Sequence, residues 1–204
     1  MIALIDYGSG NLNSVQKAFQ YLGTDICRIS EPEKLARAQA VILPGVGAFD
    51  DCMAAIRRQK LDAPLLQFIN SGKPFLGICV GYQALFERSQ EFRSIEPGLG
   101  VFKGNVRRFS DHPSLKIPQI GWNSISILNP ACPLYKGIVP GSYVYFVHSF
   151  YPVPEDASIA ATQTEYVDTF TSGVWRDNVF AVQFHPEKSQ QVGLRILRNF
   201  LGLI

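Results

Sequence analysis

Gly77-Ile78-Cys79-Val80-Gly81 sets a cysteine between two glycines, directly after the apolar run at 75–78. A nucleophile raised on a sharp strand-to-helix turn needs this pattern, because the turn leaves no room for side chains beside it. The predicted strand covers 75–78 and the predicted helix 82–88. The helix N-terminus would face the sulfur and favour an anion there. An isolated cysteine is more often a small buried residue. Cys27, Cys52 and Cys132 are read that way; the two glycines set Cys79 apart.

A nucleophilic thiol needs a base, and the chain has three histidines. His112 lies in Ser110-Asp111-His112-Pro113, a polar stretch that reads as an exposed loop. His148 ends an apolar strand and reads as a satisfied core or rim histidine. His185 follows the apolar run 179–184 directly, with Pro186 and Glu187 next. A histidine at a strand end with a carboxylate two residues on suits a base and its orienter. Acyl transfer also needs donors for the developing oxyanion. One is the backbone N–H of Val80. The other would come from Val46 or Gly47, in the turn Pro44-Gly45-Val46-Gly47 after a strand at 41–43.

The elements that must position these groups read as α/β. Strands at Ile2–Ile5, Ile26–Ile29, 41–43 and 75–78 alternate with helical patterns. The first helix starts at Leu12 and closes at Gly23, a second is capped by Asp50 or Asp51 and runs to Ile56, and a third spans 64–71. Such alternation predicts a mostly parallel central sheet flanked by helices. From Gly100 to Phe184 the chain is rich in Val, Tyr, Phe, Ser and Pro, and strands at 143–150, 157–162 and 179–184 predict antiparallel additions. Gln190–Leu201 closes the chain as an amphipathic helix with Val192, Ile196, Leu197 and Phe200 inward. With no repeat or linker, one α/β domain over residues 1–204 is expected.

Composition excludes several function classes. Apolar residues are 47% and charged residues 18% of the 204, with net charge +2 spread in short pairs such as Arg57-Arg58. A nucleic-acid partner is therefore not expected. No apolar run nears the roughly 20 residues that span a bilayer. Scattered cysteines and an opening that reads as a strand, not a signal peptide, predict a reducing, cytoplasmic setting. No metal-ligand spacing exists, and cysteine acyl transfer calls for no cofactor. Gly8-Ser9-Gly10 imitates a dinucleotide turn, but Asn13 stands where a third small residue belongs.

The elbow, His185-Pro186-Glu187 and the turn at Gly45–Gly47 together resemble the class I (triad-type) glutamine amidotransferases over the whole chain. Within that family, Asp6-Tyr7-Gly8-Ser9-Gly10-Asn11-Leu12, valine between the glycines of the turn, and Gly121-Trp122-Asn123 resemble the branch that serves histidine biosynthesis. The resemblance implies a Cys79–His185–Glu187 triad and a γ-glutamyl thioester on Cys79. It implies that Gln83 and Glu91 hold the amino-acid end of a glutamine substrate, with Gly45 and Ser149 lining the pocket. It further implies a (β/α)₈-barrel cyclase subunit as heterodimer partner and allosteric activator, with Asn11, Ser14, Trp122, Tyr143 and Lys188 on or near the docking face. Ser14 departs from the amide-bearing residue of some relatives. Two other readings stand beside this one. The same chemistry could feed the amidation of a cell-surface sugar, or the domain could be an inactive scaffolding partner.

Overall fold

The computed structural model describes residues 1–91 and 94–204. Its strands are β1 (Ile2–Ile5), β2 (Ile26–Ile29), β3 (Ala40–Gly45), β4 (Phe75–Cys79), β5 (Arg88–Ser89), β6 (Gly104–Arg108) and β7 (Gln119–Ser124). They continue with β8 (Ser126–Ile127), β9 (Tyr143–His148), β10 (Phe150–Pro154), β11 (Ala160–Glu165), β12 (Thr169–Arg176) and β13 (Val179–Val182). The helices are α1 (Leu12–Tyr21), α2 (Pro32–Leu35), α3 (Phe49–Arg58), α4 (Asp62–Asn70), α5 (Val80–Gln83) and α6 (Gln190–Leu201).

Eight strands form the main sheet in the order β2-β1-β3-β4-β13-β12-β11-β8. Its first five are parallel and the rest are added antiparallel, as the α/β reading anticipated. β1, β3, β4 and β13 are buried at every residue. Continuous apolar runs of this kind belong to parallel strands covered on both faces. Two smaller sheets, β10-β6-β5 and β7-β9, extend from the second half. In α6, Gly193, Ile196, Leu197 and Phe200 are buried at helical spacing, so one stripe meets the sheet.

Several sequence expectations need correction. The helix expected at 82–88 is the single turn α5, because Glu87 is drawn into pairing. Its N–H donates to the Gly104 carbonyl, its carbonyl accepts from Gly98, and its carboxylate accepts from the Gly104 N–H. The 143–150 strand is two strands in different sheets, broken at Ser149. The strand expected from 157 begins at Ala160, after a 3₁₀ turn over Ala157–Ile159. Asp50 and Asp51 lie in the first turn of α3 and do not cap it, since the helix begins at Phe49. The strand expected at 41–43 runs on through Pro44 and Gly45. Cys27 is exposed, pointing outward from the sheet's edge strand β2, while Cys52 and Cys132 are buried as expected.

Candidate active site

Three adjacent strands deliver the site at their carboxyl ends, where open α/β sheets bind ligands. β3 and β4 pair so that Gly45 lies opposite Cys79, and β4 pairs with β13 so that Ile78 lies opposite Val182. The turn at 44–47, Cys79 and the strand that leads to His185 thus leave the sheet side by side. Glycines permit the approach. A Cβ on Gly81 would stand 1.9 Å from the Leu43 carbonyl oxygen, and one on Gly45 would stand 2.6 Å from the Gly81 nitrogen. Cys79 itself has φ 56° and ψ −112°, a conformation that costs a non-glycine residue about 1–3 kcal/mol. Such strain at the one cysteine flanked by these glycines fits a nucleophile elbow.

Cys79 is 4% exposed, yet it lines an open cleft of about 280 Å³ with Val46, Gly47, Val80, Gln83, Glu91 and others. That volume falls just below the roughly 300–1,000 Å³ typical of drug-sized ligands, so the cleft suits an amino acid better than a nucleotide. Ser149, His148, His185 and Lys188 complete its wall.

His185 is fixed from several sides. Its backbone N–H donates to the Tyr145 carbonyl (2.9 Å), and its carbonyl accepts from Ser189 Oγ (2.6 Å). The 3₁₀ turn Pro186–Lys188 then folds Glu187 back, placing Oε1 2.8 Å from His185 Nδ1. Both side chains are nearly sealed, 4% and 1% exposed. With Nδ1 occupied, the rest of the ring lines the same cleft as the Cys79 thiol. Burial works against a charged ring. The Cys79 sulfur and the Glu187 carboxylate outweigh it and raise the His185 pKa to about 10. These surroundings favour the protonated form of the ring.

The structure thus brings Cys79, His185 and Glu187 together. His112 is exposed and far along the chain in a loop, where its Nδ1 accepts from Ser114 and Leu115 N–H groups. His148 is a satisfied core histidine. Its Nδ1 donates to the Phe150 carbonyl (2.8 Å), its Nε2 lies 2.9 Å from the Gln119 side-chain amide, whose nitrogen must be the end turned to the neutral ring, and Phe109 and Phe170 pack 5.1 Å from the ring. Burial lowers its pKa to about 4, with His185 adding to the effect.

The turn at 44–47 is clamped by residues to which sequence reading gave no role. Tyr7 Oη donates to the Pro44 carbonyl (2.9 Å) and Ser9 Oγ to the Val46 carbonyl (3.0 Å). The glycine turn that imitates a dinucleotide loop is therefore packed against the neighbouring turn at 44–47. Behind it, Cys52 is pushed up to about 12 by burial and stays protonated, so it does not compete as a thiolate.

Gln83 is buried in the cleft wall, and its Nε2 donates to the Phe150 carbonyl (3.0 Å) and to Gln183 Oε1 (3.1 Å). Glu91 also lines the cleft, and Oε2 accepts from the Phe49 N–H (2.7 Å) at the start of α3. Burial raises its pKa, the helix N–H opposes this, and Asp50 and Asp51 add to the rise. Gln183 was concealed inside an apolar strand; the only signal was a lone amide in a run otherwise fit for the core.

The residues expected near a docking face divide. Trp122 (45% exposed) and Tyr143 (60% exposed) stand on the β7–β9 ribbon, and Trp122 packs edge-on to Tyr145. Lys188 lies over the Tyr145 ring and also lines the cleft, so this patch is continuous with the site mouth. Asn11 and Ser14, at the start of α1, are half-buried on a helix that lies against the Pro186–Lys188 turn. The dipole expected of a longer helix behind Cys79 is confined to the one turn of α5.

Comparison with known proteins identifies the family. The glutamine amidotransferase class-I family model matches residues 3–203. Imidazole glycerol phosphate synthase subunit HisH of Syntrophotalea carbinolica is 51% identical, covering 98% of each chain. The HisH subunit of Thermosynechococcus vestitus is 48% identical over 100% of this chain and 97% of its own. Among solved structures, PurLQS from Thermotoga maritima superposes with a TM-score of 0.78 at 22% identity, covering 98% of this chain and 97% of that one. A glutamine amidotransferase crystal structure gives 0.74 at 19%, covering 99% and 97%. At those identities the structural likeness speaks for the fold.

Proposed function

The chain belongs to the class-I glutamine amidotransferase family, and from that premise we propose that it is the glutaminase subunit of an imidazole glycerol phosphate synthase. In this reading Cys79 hydrolyses glutamine, and the ammonia passes to a (β/α)₈-barrel cyclase subunit that forms imidazole glycerol phosphate and aminoimidazole-carboxamide ribonucleotide. The observation that carries it is the strained Cys79 lining one cleft with His185, whose Nδ1 lies 2.8 Å from a buried carboxylate.

The chemistry follows from the positions. The Cys79 proton moves to His185, and the thiolate attacks the side-chain carbonyl carbon of glutamine. Negative charge gathers on the carbonyl oxygen, which the Val80 N–H and an N–H of Val46 or Gly47 stabilise. The tetrahedral species collapses as His185 returns the proton to the departing nitrogen, leaving ammonia and a γ-glutamyl thioester. Water, deprotonated by His185, then attacks the thioester; the sulfur leaves as thiolate and glutamate is released. Glu187 holds the ring's tautomer and supports its charge in both halves. Glu91 and Gln83 bind the substrate's amino-acid end, and Gly45 and Ser149 shape the pocket.

Trp122, Tyr143 and Lys188 form the docking face for the cyclase, with Asn11 and Ser14 beside it. The family resemblance implies that the turn at 44–47, which Tyr7 and Ser9 hold, is realigned when the partner binds its nucleotide, so that the isolated subunit is nearly inactive. The test uses the complex with a histidine-pathway cyclase. Cys79→Ala should abolish glutamine-dependent synthesis and leave synthesis from free ammonia at high pH intact. Loss of both activities would show that Cys79 serves the structure and not the chemistry.

A further inference from the structure

The side chain of Gln183 is fully buried beneath the elbow, and every polar end of it is engaged. Its Nε2 lies 3.7 Å from Cys79 Sγ, and its Oε1 accepts from Gln83 Nε2 at 3.1 Å. Which end faces the sulfur is fixed by a chain of logic that ends on a backbone carbonyl. The Phe150 oxygen can only accept, so the amide nitrogen of Gln83 faces it, at 3.0 Å. That nitrogen has one hydrogen left, and the atom of Gln183 that receives it must be the oxygen. The Gln183 nitrogen is therefore turned toward the sulfur.

We propose that Gln183 is a further catalytic residue, donating a hydrogen bond to the Cys79 thiolate and held in orientation by Gln83. The inference rests on the glutaminase reading above and deepens it. The sulfur needs such a donor. Its other backbone neighbour is the Val147 carbonyl, 3.9 Å away, which suits a protonated thiol and repels the anion once the proton has gone to His185. α5 is only one turn long and supplies little dipole. A packing role alone would be met better by a hydrocarbon, because burying an amide without partners costs about 1–3 kcal/mol. Here the amide's partners are the nucleophile and a residue of the substrate cleft.

The titratable groups around the sulfur are His185 and, behind it, Glu187, then Tyr7 and Cys52 at its back. Glu91, His148 and Lys188 stand around the cleft. Tyr7 and Cys52 are both held protonated by burial, so among these groups His185 is the one that can offer the sulfur a positive charge.

The test follows alkylation of Cys79 by iodoacetamide across pH in the full-length chain, read on the Cys79 peptide by mass spectrometry so that exposed Cys27 does not confuse it. Gln183→Met keeps the bulk and removes the donor. Its labelling rate at pH 7 should fall roughly 10- to 100-fold, the range of a hydrogen bond to a charged group, and its midpoint should move to higher pH. In the complex, kcat for glutamine should fall with KM little changed. Gln183→Glu is isosteric and places an acceptor against the sulfur, so it should shift the midpoint at least as far. If the methionine variant does not fold, the glutamate variant decides alone. An unchanged midpoint and rate in a folded variant overturns the proposal. A parent Cys79 that reacts no faster than Cys27 and resists a glutamine-analogue electrophile even in the complex overturns the glutaminase reading instead.

Discussion

Replacing Glu187 by glutamine keeps the shape of the buried pair and removes its charge. The bond at stake is 2.8 Å long between side chains 4% and 1% exposed, so water does little to screen it. A hydrogen bond to a charged group contributes about 1.5–3 kcal/mol and a neutral one about 0.5–1.5. The exchange should therefore cost the imidazolium about 1.2 kcal/mol, or ~8-fold in kcat/KM for glutamine. Glu187 Oε2 has no partner among the described residues, so only the ring itself selects the orientation of the new amide. An amide that donates to Nδ1 would leave the proton on the wrong nitrogen and deepen the loss. The pH profile carries the sign. Glu187 helps raise the His185 pKa to about 10, so without it the alkaline limb should move down and thiolate formation should move up. The bell narrows from both sides. Measured on the complex from pH 6 to 10, an unaltered rate with an unaltered width would refute this account of the carboxylate.

Gly81→Ala should cost at least about 1–3 kcal/mol of stability, because its Cβ would sit 1.9 Å from a backbone oxygen and the elbow must shift. A displacement of about 1 Å at the nucleophile should lower glutaminase activity ~100-fold; urea unfolding and kcat/KM measure the two effects, and wild-type values would disprove the close fit. Stability should also fall on both sides of neutrality. His148, held neutral with a pKa of about 4, favours the folded state less as pH drops from about 6.5 toward 4, by up to ~3 kcal/mol. His185 has the opposite sign, and its contribution is lost as pH rises from about 6.5 through about 10. If His148→Gln unfolds with the same acid slope as the parent, the acid limb has another origin.

What the sequence disclosed was local. Gly77-Ile78-Cys79-Val80-Gly81 and His185-Pro186-Glu187 each carry their geometry within a few residues, so the elbow and the orienter were legible before any fold was known. The helix after Cys79 was overextended because Leu85 and Phe86 keep helical spacing. They are buried instead against a chain segment that returns at 98–104, a contact that no local pattern announces. Ser149 was absorbed into one strand because apolar residues flank it, although the chain changes sheets there. Cys27 was grouped with the other small cysteines, although Arg28 beside it is a charge of the kind that edge strands carry. Tyr7, Ser9 and Gln183 act across 37 to 104 residues of chain, and their roles appear only once the strand ends meet.

β13 lies fifth in an eight-stranded sheet, yet it is the last strand in the chain. During synthesis β4 and β12 must wait with bare edges until residues 179–182 emerge and join them, a gap that invites mispairing. The same delay is protective. His185 and Glu187 follow β13, so the growing polypeptide carries Cys79 without its activators, and a reactive sulfur arises only when the sheet has closed around its final strand.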